Sequence, residues 1–320
     1  MRQLTTADGR TVRNPDRDEL RRQLAASRQA DGQELWLDIE APTDEDLKLL
    51  TEVFGFHPVA VDDVRHPHRR PTLNEFHGYA YAVLQFAALH RHRLTTTPYH
   101  LFLGRNVLVT THAKPAPELD DLRRRIGGDE PERPGFIGYL VAGALVDSLF
   151  PVLEKLDEAV DPLQDRIVAE PTPEMLREVS DLKRQITLLH RLVGAQRDVL
   201  QRLVTHLLTL GATDATVYYR AVYDHTVRQF EIVDAQRDLL ASATDVYLST
   251  VSNRLNQTVA RLTIVASLFL PLTFLTGFFG MNFEFLVSHI NSGLAFGLCA
   301  GLMVLATCVQ LVIFRWRGWI

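Results

Sequence analysis

The chain has 320 residues, 46% apolar and 23% charged, which excludes a disordered protein and leaves room for more than one architectural part. Its net charge is −5, from 34 basic and 39 acidic side chains, so it lacks the basic surface of a general nucleic-acid binder, and no nucleic-acid partner is expected. Its two cysteines, Cys299 and Cys308, cannot form a disulfide framework, and nine residues apart on one helix they point to opposite faces.

Residues 1–22 are polar and charged and carry no signal-peptide pattern. Residues 34–113 read as mixed α/β. Glu34-Leu35-Trp36-Leu37-Asp38-Ile39 alternates as a strand does. Thr43 begins a capping-box pattern with Asp46, and Leu47, Leu49 and Leu50 continue a short helix. Residues 79–87 and 99–111 are rich in Tyr, Phe, Val and Leu, as strands are, with Asn106 marking a hairpin turn. Residues 114–134, charged and Pro-rich, read as a linker that closes a first domain, 1–134.

From residue 135 the pattern is helical. One helix is expected over 135–168, then a connection over 169–173 broken by Pro171 and Pro173. Apolar positions next recur in 4-3 steps from Met175 through Val179, Leu182, Ile186, Leu189 and Val193 to Leu200, Leu203, Leu207 and Leu210. The one break, at Gln196, interrupts a coiled-coil seam. Gly211 ends this helix, and Thr213 or Asp214 can cap the next. The helical segment is thus 135–212, followed by a stalk over 213–261 and a membrane part over 262–320.

Between 214 and 277 the sole proline is Pro271, and no glycine interrupts the run. This predicts one helix of about 60 residues, roughly 90 Å long. A rod of that length, half in water and half in lipid, needs copies of itself to be buried.

Two runs without charge, 22 residues over 262–283 and 25 over 290–314, each exceed the roughly 20 apolar residues that cross a bilayer. A buried core helix would show a charged face, and these show none. Spans are expected at about 262–281 and 292–314. Arg254 and Arg261 precede the first, Arg315 and Arg317 follow the second, and the connection has no Lys or Arg. The positive-inside rule then places both termini in the cytoplasm, with Trp316 and Trp319 at the interface.

Steps of three and four along the long helix pick out Gly277, Thr273, Leu270, Ala266, Thr263, Val259 and Asn256 on one face. The same steps continue to Ser252, Ser249, Asp245, Ser242, Asp238, Ala235 and Glu231. This face is small or polar in the membrane and acidic outside it. In an oligomer it could line an axial pore with acidic rings at its inner mouth, which admits cations. Small residues serve close helix packing equally well, and periodicity alone leaves both readings open.

The end of the first span reads Gly280-Met281-Asn282, preceded by Pro271-Leu272-Thr273-Phe274 and followed by Phe283-Glu284. With a short loop and a second span after it, this resembles the CorA family of magnesium transporters. Residues 61–71, 220–226 and 245–253 agree with that resemblance, which runs from about Leu35 to the C-terminus. It implies a fold of class α+β: a cytoplasmic α/β/α domain, and a long stalk helix continuing into the first of two C-terminal membrane helices. It implies a homopentameric funnel in the cell membrane that takes up magnesium, with cobalt and nickel as companions, and that closes when internal magnesium binds.

By the family pattern Asn282 forms the outer selectivity ring, beside Gly280, Met281 and Glu284. Asn256 lies at the inner end of the pore, Leu262 and Leu270 at constrictions, and Thr273 at a polar ring. Asp224, Glu231, Asp238 and Asp245 are candidates for inner acidic rings or regulatory metal. Ala221 stands where some relatives carry an acidic residue, and the outer loop lacks the Met-Pro-Glu-Leu segment of many members.

The chemistry is consistent. Magnesium keeps its water shell, and asparagine carbonyls can hold the hydrated ion without stripping it. A divalent ion crossing 100 mV yields about 4.6 kcal/mol, so no nucleotide is needed. No Gly-x-x-x-x-Gly-Lys-Ser/Thr motif is present, and neither enzymatic activity nor an organic cofactor is expected. His66 with His68, and His90 with His92, have no cysteine nearby and read as surface residues. His289 shares the outer loop with Glu284, and imidazole suits zinc, cobalt or nickel. That keeps a zinc or other transition-metal transporter as the alternative. A membrane-anchored coiled-coil scaffold is a third reading, but it gives no reason for an asparagine at the mouth.

Overall fold

The structure, a computed structural model, describes all residues except 7–8, 30–33, 67–69, 91–92, 127–135, 210–212, 282–292 and 320. It divides into two compact units, one of residues 1–166 and 172–244 and one of residues 167–171 and 245–320.

The first unit is built on a seven-stranded sheet of order β2-β1-β3-β7-β6-β5-β4. The strands are β1 (Arg2–Thr6), β2 (Thr11–Arg13), β3 (Leu35–Glu40), β4 (Thr72–Phe76), β5 (Tyr79–His90), β6 (Arg93–Gly104) and β7 (Val107–His112). Among the described strands, only β3 and β7 pair in parallel. The remaining pairs are antiparallel.

Strand alternation sends side chains to two cores. Leu35, Leu37, Ile39, Tyr81, Val83, Phe102 and Val109 enter one, with Leu20 and Leu24 of α1 (Arg17–Gln29), Leu47 and Leu50 of α2 (Asp44–Glu52), and Ala60, Val61 and Val64 of α3 (Pro58–Arg65). Trp36, Ala80, Ala82, Leu84, Tyr99, Leu101 and Leu108 enter the other, beneath four further helices. The layering is α/β/α, as the resemblance implied. Thr43 caps α2 in the expected manner: its hydroxyl accepts the Asp46 N–H, and the Asp46 carboxylate accepts the Thr43 N–H at 2.7 Å.

Two expectations are corrected. The linker assigned to 114–134 contains a helix, α4 (Pro117–Arg125), whose Leu119 and Leu122 are core residues. The single helix expected over 135–168 is three: α5 (Phe136–Asp147), α6 (Phe150–Val160) and α7 (Leu163–Ala169). Pro151 opens α6 and Pro162 precedes α7, and proline is favoured at first turns and excluded from interiors. The stretch 136–169 is apolar enough to cross a membrane. Its Ile137, Val141, Leu145 and Val146 are instead buried against the sheet.

The seam on α8 (Pro173–Thr209) does not pair with a lone partner helix. Val199, Leu200 and Leu203 join the core under the sheet, while the His190 ring lies 4.7 Å from Phe230 of the next helix. Gln196 breaks the seam because its Oε1 accepts the Gln85 backbone N–H of β5 at 2.9 Å. Gly211 lies outside the described residues.

The long helix is continuous: α9 runs from Thr213 to Phe279, 67 residues, through Pro271. In the first unit Val222, Thr226, Gln229, Val233, Gln236, Leu240 and Ala243 form a buried 3-4 stripe along it. Gly138 of α5 permits this close approach, since a Cβ there would collide with the Tyr219 hydroxyl. In the second unit α9 is joined by α10 (Gly293–Trp316).

Candidate functional site

From Val251 to its end at Phe279, the half-buried residues of α9 are Ile264, Ser267, Leu268, Pro271, Leu272, Leu275 and Phe279. They form one stripe at helical spacing, and Gln310 of α10 reaches it, donating from Nε2 to the Ser267 carbonyl at 2.6 Å. Asn256, Val259, Leu262, Thr263, Ala266, Leu270, Thr273 and Gly277 are all exposed. At about 100° per residue, the centre of this exposed row lies roughly opposite the half-buried stripe.

The row carries oriented polar groups. The Thr263 hydroxyl donates to the Val259 carbonyl and the Thr273 hydroxyl to the Phe269 carbonyl, each at 2.8 Å. With its proton held by the backbone, each oxygen offers only lone pairs outward. Water bound to a cation donates hydrogen bonds, so this surface matches a hydrated cation better than a hydrated anion. Leu262 and Leu270 are large exposed hydrophobics on the same row, each preceding one of these threonines.

At the end of α9 the Gly280 N–H donates to the Thr276 carbonyl at 2.9 Å, and a Cβ on Gly280 would meet that same oxygen at 2.9 Å. Glycine is therefore required by contact with the backbone. Met281 is exposed. Asn282, Glu284 and His289 lie outside the described residues.

Asp224, Glu231, Asp238 and Asp245 are exposed and follow one another at intervals of seven. In the first unit Glu231 and Asp238 face away from the buried stripe. Asp238 has a cation near it, Arg237 Nη2 at 3.7 Å. Carboxylates seven residues apart are separated by about 10.5 Å along a helix, too far to share one ion. Consistent with this, no cluster of three or more His, Cys, Asp or Glu is found among the described residues. A metal site on this column requires carboxylates from several chains. His66 lies 3.6 Å from Asp62 on the surface, and His68 and His92 are outside the described residues.

One polar cluster escaped the sequence reading. Asp38 of β3, His112 of β7 and Arg123 of α4 are buried together beside a cavity of about 800 Å³. Asp38 accepts from Thr110 and Arg123, and His112 Nε2 lies 3.2 Å from it. His112 Nδ1 faces the Lys114 carbonyl. Both ring nitrogens thus face acceptors, which the doubly protonated imidazolium satisfies. Burial opposes the charge on His112, but the Asp38 hydrogen bond and charge outweigh it and raise the imidazole above its ordinary value. Burial likewise opposes the Asp38 charge, and His112, Arg123 and Thr110 together hold that carboxyl below its ordinary value. The available signal was a carboxylate two residues after Trp36, set between the apolar Leu37 and Ile39.

A family model described as CorA-like Mg2+ transporter protein matches residues 31–315. This chain belongs to the CorA-like magnesium transporter family. The cobalt/magnesium transport protein CorA of Thermotoga maritima is 31% identical over 275 residues, covering 84% of this chain and 78% of that protein. The solved CorA magnesium transporter of Methanocaldococcus jannaschii superposes with a TM-score of 0.81, covering 100% of this chain and 99% of that one, at 23% identity. The zinc transport protein ZntB of Cronobacter sakazakii is 28% identical over 185 residues, 57% of this chain and 56% of that protein. A CorA-family chain is a divalent-metal transporter, and α9 and α10 are long and apolar enough to cross a membrane with that apolar stretch unburied, unlike residues 136–169.

Proposed function

We propose that this protein is a magnesium channel of the cell membrane, carrying cobalt and nickel as well, with both termini in the cytoplasm. Five copies surround an axial path lined by the exposed row of α9 from Asn256 to Gly277. Asn282 forms the entry ring, with Gly280 and Met281 shaping the end of the helix and Glu284 beside the mouth. Leu262 and Leu270 act as hydrophobic constrictions, and Thr263 and Thr273 contact the ion's water shell. Glu231, Asp238 and Asp245 concentrate divalent cations at the inner mouth. Internal magnesium, held between copies near Asp224, favours closure.

One observation carries this reading: the row of exposed oxygens and constricting leucines lies opposite the face of α9 that Gln310 reaches. The protein reconstituted in liposomes should pass magnesium under an inside-negative potential, and Asn282→Ala should strongly reduce that flux with the oligomer intact. Near-normal uptake by the assembled variant would remove Asn282 from the entry ring.

A second reading, zinc or another transition metal as the cargo, is favoured by the similarity to the zinc transport protein and by His289 in the outer loop. Flux of magnesium, zinc, cobalt and nickel measured in parallel separates the two. Zinc flux without magnesium flux selects the second.

A further inference from the structure

The first span contains a proline within its helix. Pro271 has no N–H, so the carbonyl four residues earlier, that of Ser267, loses its helical partner. Hydrocarbon offers no water to replace the missing donor, and an orphaned carbonyl at that depth is strongly disfavoured. The missing donor comes from the other span: Gln310 Nε2 lies 2.6 Å from the Ser267 oxygen. Gln310 is the sole amide side chain in α10, and both it and Ser267 are half-buried. Leu270 directly precedes Pro271 and belongs to the exposed row.

We propose that Gln310 is a positioning residue. Its amide stands in for the backbone donor that Pro271 lacks, fastens the second span to the first at the weakest point of α9, and thereby fixes where Leu270 is presented. An apolar side chain at position 310 leaves the Ser267 carbonyl unpaired. The helix then relaxes at Pro271 and Leu270 shifts within its ring. The link to Leu270 rests on the proposed conduction path. The bond between the spans does not.

The test is a double-mutant cycle on the full-length protein with Gln310→Met and Pro271→Ala. Gln310→Met, close in volume, should lower the thermal midpoint in detergent by about 2–4 °C. It should also raise the resting magnesium leak of liposomes several-fold. In the Pro271→Ala background the same change should move neither quantity, because the backbone N–H is restored and Ser267 no longer needs the amide. Equal shifts in both backgrounds, or no thermal shift in either, would overturn the proposal. Should Gln310→Met fail to assemble, Gln310→Asn keeps the amide, falls one methylene short of the carbonyl, and is judged by the same cycle. A non-additive thermal cycle in a protein that carries no divalent flux would instead sink the transport reading and leave the bond between spans standing.

Discussion

Gln229 of α9 donates from Nε2 to the carbonyl of Val146 at 2.8 Å, at the end of α5. Seven residues on, Gln236 repeats the contact with Leu153 of α6 at 3.2 Å. Both pairs are 83 residues apart in sequence, so the two strips of chain run in the same direction in register. Hydrophobic stripes tolerate sliding, whereas a buried amide must meet its carbonyl. These glutamines therefore set how α9 is seated in the first unit.

A charge at that position cannot be tolerated. Gln229 is fully buried. Gln229→Glu places an acceptor against the Val146 carbonyl and an uncompensated charge at a fully buried site, which costs about 3 kcal/mol or more at neutral pH. The buried carboxyl should be recovered by protonation, so the loss in thermal midpoint should shrink towards pH 5. A deficit that does not change with pH would show that the site admits water.

The Asp38–His112 pair gives the first unit a pH dependence of stability. His112 has a raised value in the folded state, so its contribution is complete below its ordinary value of about 6.5 and fades as pH rises through the raised one. Asp38 has a lowered value, so its contribution is complete above about 4 and is lost as pH falls through the lowered one. The pair is at full strength between about pH 4 and 6.5. His112→Gln keeps one donor, should cost about 1–3 kcal/mol at pH 6, and should flatten the decline on the alkaline side. Thermal midpoints from pH 5 to 9 check this, and an unchanged alkaline slope would exclude His112 as its source.

Leu270 tests the placement of the row. Leu270→Ser replaces a large exposed hydrophobe with a small hydroxyl, and hydrophobic constrictions close by excluding water. The variant should show raised resting flux and weaker closure by internal magnesium. Identical conductance and magnesium dependence would put the ion path on another face.

The acidic column makes a prediction of its own. Asp245 has no partner among the described residues, whereas Asp238 is near Arg237. In a fivefold ring, like carboxylates repel one another until a divalent cation occupies the axis. Asp238→Asn with Asp245→Asn should lower flux at low ionic strength more than at high, since salt screens the ring over about 10 Å at 0.1 M. It should also reduce the thermal stabilisation by millimolar magnesium. Of the two single variants, Asp245→Asn should account for the larger share, because Arg237 already offsets Asp238. An unchanged salt dependence would show that the column faces away from the ions.

Local chemistry made much of this molecule readable from sequence. The Thr43 cap, the Asn106 turn, and the run from 214 to 277 with Pro271 its sole proline each depend on neighbours in the chain. The exposed row was readable because a helix converts spacing directly into a face. What escaped was decided by distant partners. α4 looked like a charged linker because Leu119 and Leu122 are its only apolar core residues. The stretch at 135–168 looked like one helix because its two breaks fall at Pro151, in the first turn of α6, and Pro162, just before α7, where proline is tolerated. Asp38, His112 and Arg123 come from three separate elements, 74 and 85 residues apart from Asp38, and no local pattern joins them. Gln310 and Ser267 lie 43 residues apart on different helices, and no local pattern joins them.

The uninterrupted run of α9 fixes which changes of length this chain can accept. In most proteins an inserted or deleted residue is absorbed by a loop. From Thr213 to Phe279 there is no loop to absorb it. One extra residue between Asp245 and Asn256 would turn every later side chain by about 100° and carry Thr263, Leu270 and Thr273 off their face. Insertions of about seven or eleven residues nearly restore the phase. Along this segment the chain behaves as a counted thread, in which point substitutions are tolerated far more readily than a change of one in the count.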